Sequence, residues 1–132
     1  MRHISIDTNV YSAFKRGNRQ IIEIIQNVDI IGIDITVIAE LLAGFKNGTH
    51  EKQNRQNLTD FLNNNRIELT FHNTDTAEFY AHIYSVLRKK GTPIPTNDIW
   101  IAASTMQHGH TLLSLDVHFR NIDGLLIVPF AR

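Results

Sequence analysis

The chain has 132 residues, 42% of them apolar and 20% charged, with 13 basic side chains balancing 13 acidic ones. That is the length of one domain, spanning 1–132, with enough apolar residues for a sizeable core, and it excludes an intrinsically disordered chain. The absence of cysteine excludes a disulfide scaffold and any Cys-based zinc site, and the zero net charge removes a global electrostatic case for nucleic acid.

The first residues, His3-Ile4-Ser5-Ile6, read as a strand that begins at once, without a signal-peptide pattern. No apolar run reaches the ~18 residues of a bilayer span, so a cytoplasmic protein is expected. Ile21, Ile22, Ile24 and Ile25 mark a helix over 18–27, and a second apolar strand follows at 29–33. A second helical stretch at 36–47 carries Val37, Ile38, Leu41, Leu42 and Phe45. The Asn- and Gln-rich stretch 53–65 keeps Leu58, Phe61 and Leu62 at helical spacing, which predicts a solvated helix rather than a disordered tract. After a strand at 66–70, Phe79, Tyr80, Ile83, Tyr84 and Leu87 define a helix face over 75–90. A stiff Pro93-Ile94-Pro95 loop feeds a helix over 97–108 that Gly109 is placed to end. Strands are predicted at 111–115 and 125–128. Short apolar runs alternating with helices predict an α/β sandwich: a mostly parallel sheet covered on both faces.

Four acids stand where solvated acids usually do not. Asp7 and Asp116 each directly follow an apolar strand, in Ile4-Ser5-Ile6-Asp7 and Leu112-Leu113-Ser114-Leu115-Asp116. Open α/β sheets bind ligands outside the carboxyl ends of their strands, so these two carboxylates can meet in one crevice. The competing reading is that each merely caps the next helix, a common duty for Asp. Glu40 lies inside Val37-Ile38-Ala39-Glu40-Leu41-Leu42, on a stripe with Thr36 and Gly44, in an otherwise apolar helix. A carboxylate so placed is at least partly buried and needs a partner: an arginine or a metal. Asp98 opens the helix after the proline loop, where Thr96 or Asn97 can serve as cap. It is either a first-turn acid favoured by the helix dipole or, given apolar Ile101 and Ala102 one turn on, a group aimed at a crevice. Converging carboxylates repel unless protonated or bridged by cations. Mg²⁺ and Mn²⁺ commonly bridge carboxylates to substrate phosphates, so the set points to metal-assisted phosphodiester hydrolysis.

At these residues the chain resembles PIN-domain ribonucleases, specifically the VapC-type toxins of type II toxin–antitoxin modules. The resemblance is carried by Ile6-Asp7-Thr8-Asn9, Ile38-Ala39-Glu40-Leu41, the segment from Pro93 through Asn97-Asp98-Ile99-Trp100 to Ala103, Leu112 through Asp116-Val117-His118-Phe119, and Ile122-Asp123-Gly124-Leu125. These segments stand in family order across essentially the whole chain. The resemblance implies a PIN-like three-layer α/β sandwich with a parallel sheet of four to five strands. It also implies Mg²⁺-dependent RNA cleavage (Mn²⁺ as substitute), a homodimer and a cognate antitoxin. By position, Asp7, Glu40, Asp98 and Asp116 match the family's catalytic, metal-holding quartet, with Asp7 and Asp98 as direct ligands. Asn9 and Ser114 match supporting polar positions, and Ser114 keeps the hydroxyl where the family often has Thr.

The histidines invite a metal reading, above all His108-Gly109-His110, but a helix end and turn suit a structural imidazole. His118, two residues past Asp116, is nearer the site, with packing or a turn hydrogen bond as its expected role. Lys15, Arg16 and Arg19, and Arg88-Lys89-Lys90, serve either as helix-end charges or as phosphate contacts. The alternative to an enzyme is a non-catalytic PIN-fold interaction protein, against which the intact quartet argues.

Overall fold

The structure, a computed structural model, describes residues 2–129. In chain order it runs β1 (His3–Ile6), α1 (Thr8–Lys15), α2 (Arg19–Gln26), β2 (Ile30–Asp34), α3 (Ile35–Lys46), α4 (Glu51–Leu62), β3 (Ile67–Thr70), α5 (Thr74–Lys90), α6 (Thr96–Gln107) and β4 (Thr111–Leu113). A short 3-10 helix, Val117–Asn121, follows. The four strands form one sheet in the order β3-β2-β1-β4, and every pairing is parallel. Right-handed crossovers then put α1 to α4 on one face of the sheet and α5 with α6 on the other, which is the predicted sandwich. Among the described residues no helix is long and apolar enough to cross a membrane.

The two faces of the sheet differ in chemistry. Registers Ser5↔Gly32, Gly32↔Glu68 and Ser5↔Leu112 align the strands, so residues of one parity share a face. One face carries Ile4, Ile6, Ile31, Ile33 and Leu113, all at 1% exposure or less. The other carries Ser5, Gly32, Asp34, Glu68 and Thr70 beside Leu112, and is continued past the ends of β1 and β4 by Asp7 and Ser114. Small residues of α6 lie against this polar face: Ser104 and Thr70 share a hydrogen bond of 2.9 Å. His110 fills the space over Gly32, where a Cβ would sit 2.6 Å from its Nδ1, and bonds Ser5 Oγ at 2.9 Å. His108 Nδ1 donates to Ser104 O at 2.8 Å, so both members of the predicted structural pair hold structure. Gly109 turns the chain out of α6 at φ +67°, a conformation that favours glycine.

Three boundaries depart from expectation. The 125–128 strand shrinks to one parallel bridge, Leu112↔Ile127, because Leu126 is exposed and Pro129 offers no N–H to extend the ladder. β4 stops at Leu113, where the Ser114 hydroxyl takes over from the ladder by binding the Asp116 N–H at 3.0 Å. Neither Thr96 nor Asn97 caps α6; both belong to its first turn, and Pro95, its φ preset near the helical value, stands at the cap position.

Candidate active site

The carboxyl ends of β1 and β4, the start of α6 and the middle of α3 converge on a cleft of about 340 Å³. It is lined by Asp7, Thr8, Asn9, Glu40, Asp98 and Asp116, with the 95–97 turn closing one side. The four singled-out acids therefore lie in one place, although they are spread over more than a hundred sequence positions.

Asp7 is the deepest, at 4% exposure. Its Oδ1 caps α1 by accepting the Val10 N–H at 3.0 Å, and its Oδ2 accepts the Ser114 hydroxyl at 2.5 Å. Asp7 thus caps α1 through one oxygen, as the capping reading expects, while its other oxygen is held by Ser114 beside the cleft. Burial pushes its pKa up to about 6 against the pull of those two hydrogen bonds, with Asp116 and Asp98 adding repulsion. Asp98 is also raised, first by burial, with the nearby His118 opposing and Glu40 and Asp116 reinforcing. Asp116 lies at the mouth, with its side chain 42% exposed. It precedes the 3-10 helix without capping it through its side chain, so the capping reading fails there. Ser114 links the two strand-end acids, donating to Asp7 and accepting from the Asp116 backbone.

Among the described residues Glu40 meets no arginine. Its Oε1 accepts the Thr8 hydroxyl at 2.6 Å and its Oε2 the Asn97 amide at 3.4 Å. Among the described residues no lysine or arginine forms an ion pair with any of the four. Asn9 lines the exposed rim. Four carboxylates held together, with an imidazole beside two of them, form a donor set of hard oxygens that fits a divalent cation.

Two residues outside the acidic quartet carry much of the local chemistry. His118, expected to pack or bond within its turn, instead enters the site: Nε2 lies 2.9 Å from Asp98 Oδ2 and Nδ1 lies 3.8 Å from Asp116 Oδ1. The first contact is close but not aligned for a hydrogen bond, and that buried nitrogen has no other partner. The signal was its place two residues after Asp116. The other is Asp34, which interrupts the apolar stretch 30–45. It ends β2, is 4% exposed, and accepts from Thr36 N at 3.0 Å and from the Thr70 hydroxyl at 3.1 Å. His72 Nε2 lies 2.8 Å from Oδ2, the oxygen that also accepts from Thr36 N, and the His72 ring stacks on Trp100 at 4.4 Å between centroids. This second polar cluster lies outside the cleft.

Of the basic groups, Lys90 pairs with Asp123 at 3.0 Å. Lys15, Arg16 and Arg19 are exposed and form no ion pair among the described residues.

Known proteins share this fold. Ribonuclease VapC2 of Rickettsia felis is 28% identical over 127 residues, covering 92% of this chain and 93% of the relative. The crystal structure of VapBC2 from the same organism, bound to a DNA fragment from their promoter, superposes with a TM-score of 0.83. It is 25% identical and covers 95% and 96% of the two chains. DNA-bound VapBC from Salmonella typhimurium has the same fold, with a TM-score of 0.85 at 24% identity over 97% and 98% of the chains. Residues 4–125 match the PIN domain family, and with its four-stranded parallel sheet and strand-end acids this chain belongs to that family.

Proposed function

We propose that the protein is a divalent-metal-dependent endoribonuclease, the toxin component of a type II toxin–antitoxin pair, hydrolysing RNA phosphodiesters in the acidic cleft. The observation that carries this reading is the convergence of Asp7, Glu40, Asp98 and Asp116 on one cleft without a lysine or arginine partner among the described residues. Burial without cationic compensation costs free energy, and a site that retains that cost is suited to a cation and a phosphate. The relative named as a ribonuclease, and a similar solved structure of a sarcin-ricin loop cleaving toxin from Mycobacterium tuberculosis, support the same chemistry.

In this reading Asp7 and Asp98 hold a Mg²⁺ or Mn²⁺ ion, with Glu40 and Asp116 completing the set. When bound, such an ion supplies charge neutralisation at the phosphodiester and activation of water. The chain's own residues do the positioning. Ser114 and the Val10 N–H fix the two oxygens of Asp7, leaving little rotamer freedom to lose on binding. Thr8 and Asn97 orient Glu40 from opposite sides. Asp116 and Glu40, at the mouth, are the groups able to take a proton from water attacking phosphorus. Asn9 at the rim, and Lys15 and Arg16 at the end of α1, contact the RNA backbone, an affinity that falls with salt.

The cognate antitoxin is a small protein that covers this cleft and presents an Arg or Lys to the quartet, since a cationic side chain can stand between carboxylates as a metal does. The structures of VapBC complexes support a partner of this kind. The active form is a cytoplasmic homodimer. Mapping RNA 5′ ends in cells after inducing the wild type beside Asp98→Asn tests the reading. New cleavage ends confined to the wild type support it. A protein that binds RNA or antitoxin and produces no ends in either case is instead a non-catalytic interaction module.

A further inference from the structure

We infer that His118 is a nitrogen ligand of the cleft's cation, joining Asp98 and Asp116, and that it biases the site toward Mn²⁺ over Mg²⁺. The inference rests on the reading of the quartet as a divalent-cation site and adds a ligand of different chemistry to it. One donor atom each from Asp98, Asp116 and His118 lies within 4.8 Å of the others. Ligands of one ion at bonds of about 2.1 Å stand about 3.0 Å apart when adjacent and about 4.2 Å when opposite. The separation of 2.9 Å between His118 Nε2 and Asp98 Oδ2 is that of adjacent ligands.

The other described imidazoles near the sheet show what a structural histidine does here. His72 meets Asp34 at 2.8 Å, His108 donates to Ser104 O at 2.8 Å, and His110 bonds Ser5 Oγ at 2.9 Å. His118 Nε2 is buried without an aligned hydrogen bond, while its ring leans on Phe119 at 4.8 Å between centroids. A buried imidazole nitrogen whose neighbouring carboxylate is poorly aligned for a hydrogen bond carries an unmet cost that a shared cation would relieve. Mg²⁺ takes oxygen ligands and retains water, whereas first-row transition ions accept imidazole readily. One nitrogen among the carboxylates therefore separates the two ions.

The test uses the full chain with MnCl2 and MgCl2 as probes. Pulsed electron paramagnetic resonance on the Mn²⁺-loaded wild type is expected to show nitrogen coupling from a coordinated imidazole. That coupling is lost in His118→Ala and His118→Asp, each checked for fold by circular dichroism. Calorimetric titration is expected to show His118→Ala weakening Mn²⁺ by at least about tenfold and Mg²⁺ by about twofold or less. His118→Asp, an all-oxygen set, is expected to bind Mg²⁺ at least as well as the wild type. If Mn²⁺ binds the wild type without nitrogen coupling, and His118→Ala binds it equally or more tightly, His118 is an ion-pair partner of Asp98. The inference then falls and the carboxylate site stands. If the wild type binds neither ion at millimolar concentration, the metal-site reading beneath it falls as well.

Discussion

Asp7 and Asp34 end neighbouring strands on the same face of the sheet, and each is 4% exposed. Each also caps the helix that follows it, α1 for Asp7 and α3 for Asp34. Their surroundings differ. Asp34 is enclosed by the Thr36 N–H, the Thr70 hydroxyl and the His72 imidazole, and it lies outside the cleft. Asp7 has two donors and faces Asp98 and Asp116, which raise its pKa further after burial has done most of the work. Burial of a carboxylate is therefore no mark of a reactive site by itself. The mark is burial among like charges, because a satisfied acid stabilises the fold whereas an opposed one holds a cost that a ligand can relieve.

Activity should separate the two regions most widely. Asp98→Asn and Asp7→Asn are each expected to lower RNA cleavage by on the order of 100-fold or more, since even an outer-shell partner of a metal site is worth about 10- to 100-fold. Asp34→Asn should keep its activity per folded molecule within about threefold of wild type, because it removes a structural acceptor only. A folded Asp34→Asn as inactive as Asp98→Asn would erase the distinction.

Stability should separate them in opposite directions. Asp34→Ala leaves Thr36 N–H, Thr70 and His72 without their shared acceptor, for an expected loss of about 3 kcal/mol in urea unfolding. Metal-free Asp7→Asn should instead be more stable than wild type at pH 7. The neutral amide escapes an ionisation cost of up to about 3 kcal/mol, less what it loses in the bond from Ser114. An Asp7→Asn variant as unstable as Asp34→Ala would mean that the two acids play the same structural role.

The pH dependence sharpens the same point. Asp7 has a native pKa of about 6 against an ordinary 3.8, so between these values the native state binds more protons than the unfolded state. In chelator, its contribution to stability should fall as pH rises from about 4 to about 6 and level off above. The difference between wild type and Asp7→Asn, followed by urea denaturation across that range, isolates the effect. A flat difference would place the Asp7 pKa at its ordinary value.

Asp98→Asn should show the smallest change, a rise of a few degrees in the metal-free Tm, because Asp98 is less buried and His118 lies beside it. Saturating divalent cation should raise the wild-type Tm more than the variant's, through binding to the folded state. A metal-free variant melting well below wild type would make Asp98 a paired structural acid.

Much of this was legible without the fold. The helices over 18–27, 36–47 and 75–90 follow apolar spacing that neighbouring residues impose, and each forms within one or two residues of its expected limits. The Asn- and Gln-rich stretch also forms a helix, Glu51–Leu62, held inward by Leu58. Asp7, Glu40, Asp98 and Asp116 stood out because charge interrupts apolar segments there. Asp34 interrupts one in the same way, yet what distinguishes it, Thr70 and His72, lies 36 and 38 residues away.

Local periodicity and composition determined the α/β alternation, the apolar faces and which acids sat in unsuitable places, because these depend on residues within a turn or a strand of one another. Only the tertiary structure decided which acids face each other, that Thr8 and Asn97 hold Glu40, and that His118 reaches Asp98 from 20 positions away. The reason is electrostatic. A carboxylate's protonation and ligand affinity follow the charges and donors within a few ångströms of it, and on a parallel sheet those come from strands and helices that the chain order keeps far apart.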